Sequence, residues 1–130
     1  RKEVSGRRFW GWAREAFGDP EAFFRWFWVS NYCPLCFLEE SGRNRTPNRL
    51  PSEERAQLFP LCDEALRRTV TEIEPRLVVG IGRFAEQRAR KVLGDQVDIG
   101  GILHPSPASP EANRNWARNI EATLTRLGAL

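Results

Sequence analysis

Leu77-Val78-Val79-Gly80-Ile81-Gly82-Arg83-Phe84-Ala85 is the stretch that decides the fold. Its first five residues are apolar without alternation, the pattern of a strand covered on both faces. Gly82 ends the run. Phe84, Ala85, Ala89, Val92 and Leu93 then recur at helical spacing, which predicts a helix over 83–93. Beyond Gly94-Asp95, residues 97–103 read as the next strand, stopping at His104, the single histidine of the chain. A strand, a helix and a second strand form one βαβ unit. On either side lie a long helix over 52–73, with Leu58, Leu61, Ala65, Leu66, Val70 and Ile73 as its inner stripe, and a last helix over 110–127. Pro60 is expected to kink or split the former. Trp116, Ile120, Leu124 and Leu127 stripe the latter, and Gly128 stops it. Helices alternating with apolar strands predict a parallel α/β sheet with right-handed crossovers.

Upstream, Phe9, Trp10, Ala13, Ala16 and Phe17 predict a helix over 5–17, capped by Ser5 and ended by Gly18. A short helix opens at Pro20 and runs to about Arg25. Trp26-Phe27-Trp28-Val29 is continuously apolar and reads as another buried parallel strand, ending at Ser30-Asn31-Tyr32. Residues 39–49 are polar and rich in turn formers, so they read as a loop. Its Arg43, Arg45 and Arg49 fit either a functional loop or a solvated one.

At 130 residues, 41% apolar and 28% charged, the chain is one domain or part of one. No run approaches the roughly 18 apolar residues of a membrane span. The net charge is +3, and with only Lys2 and Lys91 as lysines, 18 of the 20 basic residues are arginine. Arginine forks suit phosphates and carboxylates, although a compositional bias explains the count equally well. The chain has no methionine and opens Arg1-Lys2-Glu3-Val4, so we expect it to be a piece of a longer protein. Cys33-x-x-Cys36 with Cys62 falls short of the four ligands of a structural metal site, and we read the three as core thiols; their odd number suits a reducing compartment.

Gly80-Ile81-Gly82-Arg83-Phe84-Ala85 matches the G-x-G-x-x-A dinucleotide pattern between a strand and a helix. The acidic partner expected at the far end of the next strand is missing, since Asp98 stands at its start. We read the glycines as a tight turn, with a nucleotide-binding α/β domain kept as an alternative. A nucleophilic triad has no support: Ser106, the serine nearest the histidine, lies between Pro105 and Pro107. What remains is an amide, Asn31, and an imidazole, His104, each at a strand end on one rim, where open parallel sheets bind ligands. An amide can read the edge of a nucleobase, and an imidazole can hydrogen-bond a leaving group that becomes anionic. The alternative for His104 is that it merely ends a strand.

Val29-Ser30-Asn31-Tyr32-Cys33-Pro34-Leu35-Cys36-Phe37-Leu38, Ser41-Gly42-Arg43-Asn44 with Thr46-Pro47, the 77–90 segment, and Leu103-His104-Pro105-Ser106-Pro107 with Ala112-Asn113 together resemble the uracil-DNA glycosylase superfamily. The similarity is greater to its single-strand-selective monofunctional branch. It runs in order over nearly all 130 residues. The resemblance implies a three-layer α/β/α fold with a parallel sheet, residues 1–130 being the carboxyl-terminal two-thirds of one glycosylase domain whose first strand lies upstream. It implies that Asn31 reads a flipped uracil and that His104 stabilises the charge developing on the uracil carbonyl. Pro105, Ser106, Pro107, Ala108 and Ser109 would form the wedge entering the DNA, with Arg43 as a further DNA contact. Ala108 stands where the family usually carries arginine, which predicts a weaker hold on duplex DNA. The family's Gly-Met-Asn-Pro-Gly-like segment, whose asparagine positions the attacking water, and the aromatic that stacks on uracil are expected upstream of Arg1. No cofactor or metal is expected, the partner is DNA rather than a membrane, the protein is a monomer, and its place is the nucleoid or the nucleus. Without the upstream strand, residues 26–29 should either face a gap or re-pair onto Leu77 to Ile81, and the chain alone should be inactive and poorly folded.

Overall fold

The computed structural model describes residues 3–130. Helix α1 spans Val4–Phe17 and α2 spans Pro20–Phe24. A small hairpin pairs β1, Phe37–Leu38, with β2, Asn44–Arg45, and a 3-10 turn covers Pro47–Arg49. Then come α3, Ser52–Ile73, β3, Leu77–Ile81, α4, Arg83–Leu93, β4, Asp98–Ile102, and α5, Pro110–Arg126. Strands β3 and β4 are parallel, in register from Leu77 opposite Asp98 to Ile81 opposite Ile102. The predicted βαβ unit is therefore present, and the chain is of mixed α/β class.

Alternation along β3 and β4 parts the helices into two groups. Val79, Ile81 and Ile102 join a core of Phe9, Trp12 and Ala13 from α1, Phe23 from α2, and Trp116, Ile120 and Leu124 from α5. Val78 and Ile99 join Ala89, Val92 and Leu93 of α4, with Leu66 and Val70 of α3 beside them. Each large side chain so buried contributes about 1.5–3 kcal/mol. Gly80 admits α4 onto the sheet: a Cβ there would overlap the backbone of Ala85 and Glu86. Among the described residues no helix is long and apolar enough to cross a membrane.

Several expectations need correction. Residues 26–29 are not a strand; among the described residues β3 pairs with β4 alone. The aromatic run is one-sided, with Phe27 and Val29 packed on the core while Trp26 and Trp28 stay 77% and 68% exposed. Phe27 stacks on Phe23 with ring centroids 5.1 Å apart, and that contact, not sheet pairing, anchors the segment. The cap of α1 is Glu3, whose carboxylate accepts from Ser5 N and Gly6 N, and not Ser5. Residues 39–49 hold a hairpin arm rather than a free loop, because Arg45 pairs with Glu39 at 2.6 Å across it. Helix α3 runs unbroken through Pro60. Pro60 and Ala56 lie on its exposed side, where the carbonyl left without a donor can take a water. The inner stripe of α3 is also rotated: Cys62 is buried, whereas Leu61, Ala65 and Ile73 face out.

Candidate active site

The rim predicted to carry both Asn31 and His104 at strand ends is met only by His104, beyond β4; among the described residues no strand precedes Asn31. Ile102 ends β4 with its carbonyl accepting from Gly82 N at 2.8 Å, and the chain emerges at His104. Gly82 has φ +90° and ψ 160°, a conformation essentially reserved for glycine. A Cβ on it would sit 3.0 Å from His104 Cβ, so the imidazole stands directly against this backbone. The two glycines of the dinucleotide-like pattern are thereby accounted for: one makes room for α4, the other for His104.

The ring of His104 is oriented from one side. Ser106 N–H donates to His104 Nδ1 at 3.1 Å, so in the neutral imidazole Nδ1 is the acceptor and Nε2 carries the proton. Loss of water around the ring pushes its pKa below the ordinary value, with the carboxylate of Glu3 opposing. At neutral pH the group is a neutral donor rather than a cation.

The loop that follows is tied on both flanks. Arg8 of α1 donates through Nη1 to Pro105 O at 3.0 Å and through Nη2 to Asn113 Oδ1 at 2.8 Å. Asn113 Nδ2 in turn donates to Pro107 O at 2.8 Å. Ser106 Oγ accepts from Ala108 N at 3.2 Å, Ser109 N donates to Ser106 O at 3.1 Å, and Ser109 caps α5 through Ala112 N. Below the loop the buried Trp116 donates its indole N–H to Leu103 O at 2.6 Å. Pro105 is buried, while Pro107 and Ala108 are exposed at the tip. These bonds hold Pro105, Ser106, Pro107, Ala108 and Ser109 in one shape.

Asn31 lies in irregular backbone, exposed, and its neighbour Tyr32 anchors the segment. Tyr32 Oη donates to Asp63 Oδ1 at 2.7 Å. Arg88 of α4 donates through Nε to Tyr32 Oη at 3.0 Å and makes a two-pronged ion pair with Asp63. Its guanidinium also lies 4.6 Å from the Phe59 ring centroid. Burial alone would raise the carboxyl of Asp63, but the bonds from Arg88 and Tyr32 outweigh it and hold the group below the usual range. Burial first, then the bond to Asp63, pushes the Tyr32 phenol up. The Tyr32 ring meets Phe84 at 5.7 Å, two residues beyond the Gly82 that touches His104. Tyr32 and His104 are thus both fastened around the start of α4, at the same end of β3. No hydrogen bond joins Asn31 to His104 among the described residues. Arg43 is apart from both, exposed at the hairpin turn, its carbonyl accepting from Glu39 N at 2.8 Å. Burial pushes the Cys62 thiol up to about 11, and the Cys33 thiol, hydrogen-bonded to it, adds to the shift.

Glu3, Arg8, Asp63 and Arg88 received no role from the sequence. Arg8 stands four residues before Trp12, at the margin of the buried face of α1. A charge at such a margin is a faint signal, and its partner lies 97 residues away.

No family model matches the chain. Curated relatives do. The single-strand selective monofunctional uracil DNA glycosylase of Bos taurus is 52% identical over 131 residues, covering 98% of this chain and 48% of its own length. The proteins of that name from Rattus norvegicus and Mus musculus are 52% and 51% identical over the same share of this chain and 47% of theirs. The chain spans about half the length of the curated relatives it matches. Over nearly all of its own length it is a homologue of the single-strand-selective monofunctional uracil-DNA glycosylases.

Proposed function

We propose that the full-length protein is a monofunctional uracil-DNA glycosylase acting in base-excision repair. It hydrolyses the N-glycosidic bond of uracil, and of oxidised 5-methyl pyrimidines such as 5-hydroxymethyluracil, in DNA. The target nucleotide is flipped out of the strand, and Asn31 reads its edge with the paired donor and acceptor of its amide. As the bond between C1′ and N1 breaks, its electron pair moves onto the uracil ring. Nε2–H of His104 donates to the carbonyl oxygen where that charge collects. Water adds to C1′ of the sugar, and the proton it gives up ends on the departing uracil anion. Residues 105–109 wedge into the space left by the base, and Arg43 contacts the backbone. The complete domain is a three-layer α/β/α sandwich in which a further strand fills the space beside residues 26–29 and the free edge of β3. The protein is a monomer, working in the nucleoid or the nucleus according to its host.

The observation that carries this reading is the bond from Ser106 N–H to His104 Nδ1, which leaves a neutral imidazole with its proton on Nε2. Such a group can stabilise a departing anion without first titrating. Incubating the full-length protein with a uracil-containing oligonucleotide and then with alkali should cleave the strand at uracil, with no cleavage before alkali. Strands that stay intact after alkali would refute the proposal.

A further inference from the structure

The peptide group between Pro105 and Ser106 is held at both ends. Its carbonyl oxygen accepts from Arg8 Nη1 at 3.0 Å, and its N–H donates to His104 Nδ1 at 3.1 Å. No cis peptide bond occurs among the described residues, so the carbonyl and the N–H point opposite ways on one rigid plane. A single plate thus joins a guanidinium on α1 to the imidazole of the proposed active site. We infer that Arg8 is a positioning residue for His104: by holding and polarising the Pro105–Ser106 peptide it keeps Nδ1 the acceptor and Nε2 the donor. This deepens the glycosylase reading and rests on it.

Three observations carry the inference. First, a carbonyl that accepts from a cation makes the N–H of its own peptide a stronger donor, because hydrogen bonds in a chain polarise one another. Second, the guanidinium cannot swing away. Its Nη2 is fixed by Asn113, which is itself fixed by Pro107 O. Third, the flanking residues leave the peptide no other partner: Pro105 and Pro107 lack N–H groups, and Ser106 Oγ is occupied by Ala108 N. The charged groups facing the imidazole are Glu3, which favours its cation, and Arg8, which acts through the peptide. The start of α4 brings the uncharged Gly82 against the ring. Loss of water around the ring already opposes the pull of Glu3 toward protonation, and the donor on Nδ1 works in the same direction while fixing which nitrogen carries the proton.

Imidazole 15N shifts of the labelled full-length protein, identified by their loss in His104→Leu, report the tautomer and the titration midpoint. In Arg8→Met, His104 should become a mixture of the two neutral tautomers, and its proton affinity should rise roughly threefold or more. The kcat on uracil-containing DNA should fall about 10- to 100-fold with a smaller change in KM, because the oxyanion donor is misplaced rather than the binding surface lost. Arg8→Lys keeps a charged donor and should restore most of the tautomer preference. Arg8→Gln, which keeps a planar N–H donor without the charge, should fall between, and it serves should Arg8→Met fail to fold. Asn113→Ala removes the second tether but not the bond to Pro105, and should shift the tautomer and midpoint clearly less than Arg8→Met does. The inference is overturned if both Arg8→Met and Arg8→Gln keep the parent tautomer and midpoint, or if Asn113→Ala shifts them as far. The tautomer is read without turnover. A protein that shows the Arg8 effect and excises no uracil therefore refutes the glycosylase reading alone.

Discussion

Replacing Asp63 by alanine removes the carboxylate that Arg88 grips with two prongs and that accepts the Tyr32 hydroxyl. The side chains of Arg88 and Asp63 are only 14% and 15% exposed, so water cannot fully re-solvate the stranded guanidinium. Breaking a buried pair by removing one partner costs about 3–5 kcal/mol, and the residual exposure points to the lower end, about 3 kcal/mol. Against a typical domain stability of about 5–15 kcal/mol, that is a large fraction. Urea unfolding of the full-length protein at pH 7 measures it. The double variant Asp63→Leu/Arg88→Met, which leaves no orphaned charge, should recover most of the loss. The pair also has a pH signature. Asp63 is held below its ordinary pKa, so its contribution is fully present above the unfolded value near 3.9 and is lost as pH falls through the folded value. The parent should therefore shed stability below about pH 4 that Asp63→Ala does not have to shed. A loss under about 1 kcal/mol at pH 7, or parallel acid profiles for the two proteins, would show that solvent screens the pair and that Tyr32 is held by packing alone.

Other outcomes follow from the same geometry. His104→Leu should lower the uracil-excision rate of the full-length protein by about 10²–10³ while leaving its melting temperature nearly unchanged, since His104 is exposed and adds little to the core; excision at the parent rate would remove the role assigned to it. Gly82→Ala should cost about 1–3 kcal/mol from its backbone conformation and displace the imidazole it touches, so stability and rate should fall together in urea melts and excision assays. The 130-residue chain expressed alone should melt without cooperativity and show no excision, because the unpaired edge of β3 and the exposed Trp26 and Trp28 leave apolar surface and backbone groups uncovered. A sharp calorimetric transition would contradict that.

Where sequence and structure agree, the signal was local. The unbroken apolar run at 77–81 and the helical spacing of Phe84, Ala85, Ala89, Val92 and Leu93 lie within one βαβ unit, and both elements formed as read. Residues 26–29 failed for a physical reason: an apolar run does not say which of its faces is covered. Trp26 and Trp28 share the strand-like composition of Phe27 and Val29, but only the latter two find the core. In α3 the inner stripe is displaced because Cys62 and Asp63, a small thiol and a charge, turn inward where apolar spacing points to Leu61 and Ala65. Asp63 is drawn in by Arg88 and Tyr32. The histidine and its proline-rich loop were visible as residue types at a strand end. Arg8 was not, because its importance comes entirely from a carbonyl 97 residues along the chain.

That separation bears on the order in which the molecule assembles. Leu77 meets Asp98 after a loop of 21 residues, 98 minus 77, whereas the bond from Arg8 to Pro105 closes one of 97. Loop-closure entropy grows with the logarithm of length, so the longer closure costs on the order of 1 kcal/mol more before any contact is gained. The βαβ unit can therefore form early, with His104 emerging from a finished strand end, while the tether from α1 arrives late. In native-state hydrogen exchange, the β3 and β4 amides would then protect at the full unfolding free energy. The Ser106 amide, whose partner is the imidazole itself, would report smaller openings in which α1 lifts away. A chain built in this order completes its rigid frame first and locks His104 last.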